Sequence, residues 1–341
     1  MSNQLLIFIG GIAVLILLHE FGHFLAAKFL KVEVEEFGIG FPPRIVKVFT
    51  AGGTEFTLNW IPLGGFVRIK GENDPDVPGG LGAANPWIRF GVLSAGPLTN
   101  ILLGMILSVL VFYQAGEPIP NRVKVLEVAP NSPAAQAGLQ TNDILLEVQG
   151  EKIDSVDELH NLIYGRLGEP TSITYERNGA SFSTNLTPRN PPPADQGAIG
   201  IIMGVDTRPT TLIKAIPRGV NASFTYVVAL FSLPKMLLNN EITPEEARPV
   251  GYKGMYDIYQ QVRDPFSFFT MITMSLGVLN LFPLPALDGG HLLFTAIEIV
   301  TRRRLPPQLE NAIHTVGFFL LLALLVYVNI MDFVSPVKLP F

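Results

Sequence analysis

The stretch His19-Glu20-Phe21-Gly22-His23 interrupts a segment otherwise suited to hydrocarbon. Leu5–Leu18 carries no charge and is almost wholly apolar, and Phe24–Ala27 resumes that character. Four residues of helix advance about 6 Å and turn about 400°, so His19 and His23 share one face. Two imidazoles so placed can bind one zinc ion from a single rigid element, with Glu20 beside them to take a proton from water. Ionisable side chains are costly in hydrocarbon, so each of these three needs a partner or a task.

Composition agrees with a membrane setting. The chain has 341 residues, 48% hydrophobic and only 16% charged, against about 25% charged in an average soluble protein; mean hydropathy is +0.36. A net charge of −5 without a polybasic tail argues against a nucleic-acid partner. There is no cysteine, which excludes disulfides and thiolate ligands, so any zinc must be held by His, Asp or Glu. The N-terminus lacks a basic region and flows directly into His19 and Glu20 instead of a small-residue cleavage site. It reads as a retained transmembrane helix.

Four segments are apolar enough to span: about Gln4–Leu30, Gly91–Ala115, Pro265–Leu287 and Asn311–Ile330. Val220–Leu238 is weaker, because it begins beside Arg218 and Asn221 and contains Pro234. It is expected to lie on the membrane as an interfacial amphipathic helix, with a fifth span as the alternative. Lys28, Lys31, Arg44, Lys47, Arg68, Lys70 and Arg89 fall between the first two spans, and Arg302-Arg303-Arg304 between the last two. Those loops are expected on the cytoplasmic side, which places the 116–264 region outside.

Between the first two spans, Arg44–Phe49 and Glu55–Trp60 alternate around a turn at Gly52-Gly53, and Gly64–Ile69 offers a third short strand. Such backbone is tolerated at membrane depth only when buried in protein or lining a wet cavity; a hairpin in the cytoplasm is the alternative. From Asn121 to about Pro188 the pattern turns soluble. Strands are expected at Val123–Val128 and Asp143–Val148, and a helix at Ser155–Tyr164 capped by Ser155. A hairpin follows around Asn178-Gly179, and a short strand near Ile199–Met203. The order, with Ser132-Pro133-Ala134-Ala135-Gln136-Ala137-Gly138-Leu139 followed by Asp143-Ile144-Leu145-Leu146, resembles a bacterial PDZ domain in a single copy. The expected divisions are 1–120, 121–190, 191–264 and 265–341.

Two histidines leave zinc short of a third protein ligand, and Asp288, His291 and His314 are candidates. Asp288 is favoured. It ends the apolar stretch broken by Pro283 and Pro285, as in membrane proteins that bring a carboxylate beside unwound backbone. The following Gly289-Gly290 is expected to let the backbone approach the first helix. His291 is expected to support a ligand and His314 to serve packing.

With these motifs in place, the chain resembles the site-2 protease family of intramembrane zinc metalloproteases. The resemblance rests on His19–His23, on Asn280-x-x-Pro283-x-x-x-x-Asp288-Gly289, on Gly64–Arg68 and on Gly96-Pro97-Leu98-Thr99-Asn100. It implies an α-helical polytopic protein with four transmembrane helices, a re-entrant β-hairpin region and an inserted PDZ domain. It further implies one zinc held by His19, His23 and Asp288, with Glu20 as base. Asn280 matches an asparagine implicated in handling substrate. Asn100 matches one that is either structural or substrate-facing, and Gly64, Gly65 and Phe66 belong to the sheet that receives substrate as an added strand. The expected substrates are single-span membrane proteins or signal-peptide remnants in the cell membrane, cut towards the cytoplasmic side, with the PDZ domain outside and able to take a peptide ligand. An inactive membrane-tethered PDZ scaffold is the alternative; it gives no reason to keep His19, Glu20, His23 and Asp288 together.

Overall fold

Left-handed Lys31 and Gly116, and Pro283, mark where three of the helices stop. A computed structural model of the chain describes residues 3–193, 196–243, 247–262 and 264–336. Helix α1 (Asn3–Phe29) ends just before Lys31, which takes a left-handed φ of 61°. Helix α2 (Pro86–Ala115) starts where Asn85 Oδ1 accepts the Trp87 N–H at 2.9 Å, and it stops at Gly116, φ 84°. Two long strands, β1 (Val34–Ala51) and β2 (Thr54–Ile69), lie between them. The inserted β-rich region follows, comprising β3 (Glu117–Val128), α3 (Pro133–Gln136), β4 (Ile144–Val148), β5 (Glu151–Lys152), α4 (Val156–Tyr164), β6 (Thr171–Arg177), β7 (Ala180–Leu186) and β8 (Ile201–Arg208). The chain then forms α5 (Leu212–Leu238), α6 (Tyr252–Gln261), α7 (Pro265–Leu281), α8 (Asp288–Thr301) and α9 (Pro307–Val334).

Among the described residues, four helices are long and apolar enough to cross a membrane: α1, α2, α5 and α9. This set differs from the sequence-based expectation at two points. Residues 212–238 form one 27-residue helix, longer than the expected 220–238 and long enough for the fifth span given as the alternative. It packs along α2 and α7, with Ser108 Oγ donating to Gly219 O at 3.1 Å, Tyr226 Oη 2.8 Å from Ser275 Oγ, and Phe231 stacked on Phe282. Conversely, α7 has 17 residues and ends at Leu281, short of the expected Leu287. Its C-cap Phe282 is extended (φ −63°, ψ 141°) because Pro283 disfavours helical backbone in the residue before it.

The strand region is more folded than a hairpin. Residues 36–39 of β1 face two runs of β2: Phe37 is level with Val67 on one side and with Phe56 on the other. The chain doubles back at Gly40–Pro43, and residues 44–51 pair with 54–59 around Gly52-Gly53. The third short strand expected at 64–69 is therefore the end of β2, lying against 36–39. Thr57 Oγ1 donates to Glu36 Oε1 at 2.7 Å and Thr54 Oγ1 to Val34 O at 2.8 Å, tying the inner runs together. Glu36 is buried but receives Arg44 at 2.8 Å and Arg68 at 2.9 Å, as a buried charge must be paired to persist.

The chain divides into two units. One runs to Val111 and resumes at Ile216; the other is Phe112–Ala215. The second unit is wider than the expected 121–190, because its sheet, ordered β7-β6-β4-β3-β8, closes with β8 pairing along β3 from Glu117↔Arg208 to Val128↔Ile201. Its core gathers Val125, Leu145, Val148, Leu159 and Ile173, all 0% exposed. Ser132 and Ser155 cap α3 and α4 by accepting from Ala135 N and Glu158 N. The β6–β7 turn sits on Asn178 (φ 53°) and Gly179 (φ 81°), the positive-φ pair that a tight hairpin requires.

Candidate metal centre and active-site cleft

Helical spacing brings His19 and His23 to one face of α1, and the broken α7–α8 connection brings Asp288 to meet them. His19 Nε2 lies 3.1 Å from Asp288 Oδ2, His23 Nε2 lies 3.3 Å from the same oxygen, and the two Nε2 atoms are 3.2 Å apart. A tetrahedral ion with bonds of about 2.0–2.2 Å sets its ligand atoms about 3.3–3.6 Å apart, so the triangle is close to the size zinc needs. The protonation pattern agrees. His23 Nδ1 donates to the Val92 carbonyl at 2.8 Å, which leaves the Nε2 lone pair of the neutral ring pointing into the triangle. Nitrogen lone pair and carboxylate oxygen then converge within a buried pocket, an arrangement that a cation satisfies.

Glycines make the room. A Cβ at Gly96 of α2 would stand 2.2 Å from His23 Nε2, and one at Gly22 of α1 would stand 2.3 Å from Thr99 Oγ1, so α1 and α2 pack backbone to side chain beside the centre. Gly289 and Gly290 act differently from the expectation that they admit the first helix. A Cβ at Gly289 would meet Phe282 O at 1.9 Å, and one at Gly290 would meet Leu284 O at 2.5 Å. The glycine pair thus lets the 282–287 connection fold back over the start of α8, which fixes Asp288 at the first turn of that helix.

Glu20 is not part of the triangle. Its Oε2 accepts the Val67 N–H of β2 at 3.1 Å, and it lines a cleft of about 310 Å³ with Ile16, His19, Leu276, Asn280, Ala286, Leu287 and Asp288. β2 reaches this point because Gly64 and Gly65 have no side chains: a Cβ at either would meet Ile16 or Leu17 of α1 at 2.7 Å. Asn280 therefore faces the cleft, while Gly64, Gly65 and Phe66 lie on the β2 run leading to the Glu20 contact. Asn100 does not line the cleft; it is fully buried, with its amide 3.1 Å from His19 Nδ1.

A second group, His291, Glu310 and His314, also brings ligand-type atoms within 4.8 Å of one another, but it suits a metal poorly. The two imidazoles stack 3.6 Å apart and 9° from parallel, so their in-plane lone pairs do not converge. His314 Nδ1 accepts the Ala286 N–H at 2.9 Å, leaving the ring proton on Nε2. Instead, this pair braces the loop that delivers Asp288. Ala286, at φ 71°, is the strained residue it holds. His291 contacts Glu310, with Nδ1 3.4 Å from Oε1, and the His314 ring. Sequence reasoning missed both the brace and the role of Gly96. Pro97, inside α2, was the visible signal that this helix is locally unusual.

A sequence model of peptidase family M50 matches residues 7–324. The chain belongs to that family. The M50 peptidase is similar to a protein of Clostridium perfringens named as a putative zinc metalloprotease, with 32% identity over 95% of this chain and 96% of the relative. It is also similar to the zinc metalloprotease RasP of Oceanobacillus iheyensis, with 28% identity over 94% of this chain and 96% of that one. Among solved structures, the PDZ domain of an SdrC-like protein from Listeria monocytogenes is 22% identical, covering 25% of this chain and 90% of its own, at a TM-score of 0.22. The M50 peptidase is thus a multi-pass membrane protein and a zinc metalloendopeptidase of the site-2 protease type.

Proposed function

We propose that this M50 peptidase hydrolyses peptide bonds within or beside the transmembrane segments of single-span membrane proteins, including membrane-bound regulators or signal-peptide remnants. His19, His23 and Asp288 hold the zinc, and Glu20 is the general base. The observation that carries this reading is the buried triangle of His19, His23 and Asp288 donor atoms with Glu20 in the adjoining cleft. Zinc in such a site supplies Lewis-acid polarisation of a carbonyl and a nucleophile from water near neutral pH. Glu20 takes the proton of the attacking water and returns it to the leaving amine.

The substrate has to unwind, because a helical peptide bond is shielded by its own hydrogen bonds. Among the described residues, the 65–69 run of β2 pairs on one side only, with 34–39, and its Val67 N–H points at Glu20. A substrate strand laid along Gly64, Gly65 and Phe66 satisfies its freed backbone groups there, and Asn280 donates to it from the opposite wall. The Lys and Arg residues at 28–89 and 302–304, read as cytoplasmic by the positive-inside rule, favour cleavage towards the inner face of the cell membrane. The inserted domain then stands outside, able to engage a peptide.

The test is Glu20→Gln, assayed for zinc content and for turnover of a single-span substrate together. The expected result is full zinc occupancy with activity reduced by about 10² or more. Turnover close to wild type would remove Glu20 from the reaction.

A further inference from the structure

We infer that Asn100 is a positioning residue for the metal centre: its amide oxygen accepts the Nδ1 proton of His19 and thereby presents the Nε2 lone pair to zinc. This rests on the assignment of His19 as a ligand. Asn100 is 0% exposed, and its amide nitrogen is placed 3.1 Å from His19 Nδ1, while its amide oxygen has no hydrogen-bond partner. A buried amide oxygen left unpaired is destabilising. The two ends of an amide are assigned from their hydrogen bonds and not from shape. Turning the Asn100 amide end for end gives the oxygen a donor at His19 Nδ1, and the tautomer of His19 decides between the two orientations.

The imidazole demands that orientation. His19 Nε2 is the atom that faces Asp288 Oδ2 and His23 Nε2. A neutral imidazole has one donor nitrogen and one acceptor, so a ligating Nε2 requires the proton on Nδ1. An NH2 group facing Nδ1 would demand the opposite tautomer and close Nε2 to a metal. His23 follows the same scheme, with Nδ1 on the Val92 carbonyl. Helix α2 therefore supplies the outer partner of both imidazoles, one from its backbone and one from a side chain.

Asn100 is itself held. Its backbone carbonyl accepts from Thr273 Oγ1 of α7 at 3.2 Å, and Gly277 of α7 leaves only enough room for its Cβ, since an added methyl there would stand 3.2 Å away. An outer-sphere partner so fixed contributes typically tenfold to a hundredfold in metal affinity or activity.

The test is zinc affinity, measured by chelator competition on full-length protein in detergent for the wild type, Asn100→Ala, Asn100→Asp and His23→Ala. Asn100→Ala is expected to weaken zinc by about 10–100-fold, and Asn100→Asp, which offers only acceptors, to bind at least as tightly as wild type. Zinc affinity in Asn100→Ala within about twofold of wild type overturns the proposal, as does an Asp variant as weak as the Ala variant. If Asn100→Ala fails to fold, Asn100→Asp alone decides: a donor-facing amide predicts weakened zinc there, an acceptor-facing amide does not. Wild type that binds no zinc, or keeps it in His23→Ala, removes the metal-centre reading itself and is recognised separately from the Asn100 outcomes.

Discussion

Asp288 and His291 sit three residues apart at the start of α8, yet their surroundings assign them different work. Asp288 Oδ2 is shared between the two α1 imidazoles; the His291 contacts are with Glu310 and the His314 ring. Asp288→Ala is therefore expected to abolish stoichiometric zinc, while His291→Ala retains the ion with modestly altered affinity. Metal analysis of the two purified variants checks this, and zinc lost only from His291→Ala would reverse the assignment. At this scale the histidine pair was the most legible part of the chain, because i and i+4 place both rings on one face whatever the rest does. The triangle also needs Gly96 behind His23, and its outer partners come from Val92 and Asn100, 69 and 81 residues away in sequence. No local pattern encodes those distances.

Elements are fixed by a mixture of local and distant rules. The strands of the inserted domain follow from alternation and from turn residues such as Asn178-Gly179. The double pairing of residues 36–39 does not, since alternation gives strands without saying which neighbour each acquires. Helix α5 begins at Leu212, ahead of the expected Val220, and contacts with α2 and α7 hold it despite Pro217 and Pro234. In the inserted sheet, Arg122 of β3 bridges Glu176 of β6 at 2.9 Å and Asp206 of β8 at 3.1 Å. The guanidinium holds the Glu176 carboxyl below its ordinary range. A depressed folded value means that the contribution is present above the unfolded value, about 4.3, and is lost as pH falls through the folded one. Glu176→Gln should consequently lower the melting temperature slightly at pH 7 and not at pH 3. Thermal melts at the two pH values read this directly; an unchanged difference at pH 3 would show the ion pair to be inert.

At the scale of the whole molecule, all proposed ligands and Glu20 lie outside Phe112–Ala215. Glu117 and Arg208 are cross-strand partners, so their Cα atoms are about 5 Å apart, a gap that a short Gly-Ser turn can bridge. Replacing residues 118–207 by such a turn is expected to leave a protein that keeps zinc and still cleaves a destabilised transmembrane helix, with altered substrate preference. Loss of all cleavage in a folded, zinc-loaded deletion would make the inserted domain part of the chemistry. The division into a membrane part and an insert was legible from composition alone. The insert's extent was legible only in part: a strand near Ile199–Met203 was expected, but the 121–190 bounds leave out β8 and the start of β3 at Glu117.

The contact between His19 and Asp288 joins residues 269 apart in sequence. At a synthesis rate of roughly 5–20 residues per second, Asp288 follows His23 out of the ribosome by about 13–53 s. During that interval the helix bearing Glu20 is already made, but the centre lacks its carboxylate. With Asp288 as the proposed third ligand, the centre is therefore completed only once α8 arrives, after most of the chain has been made.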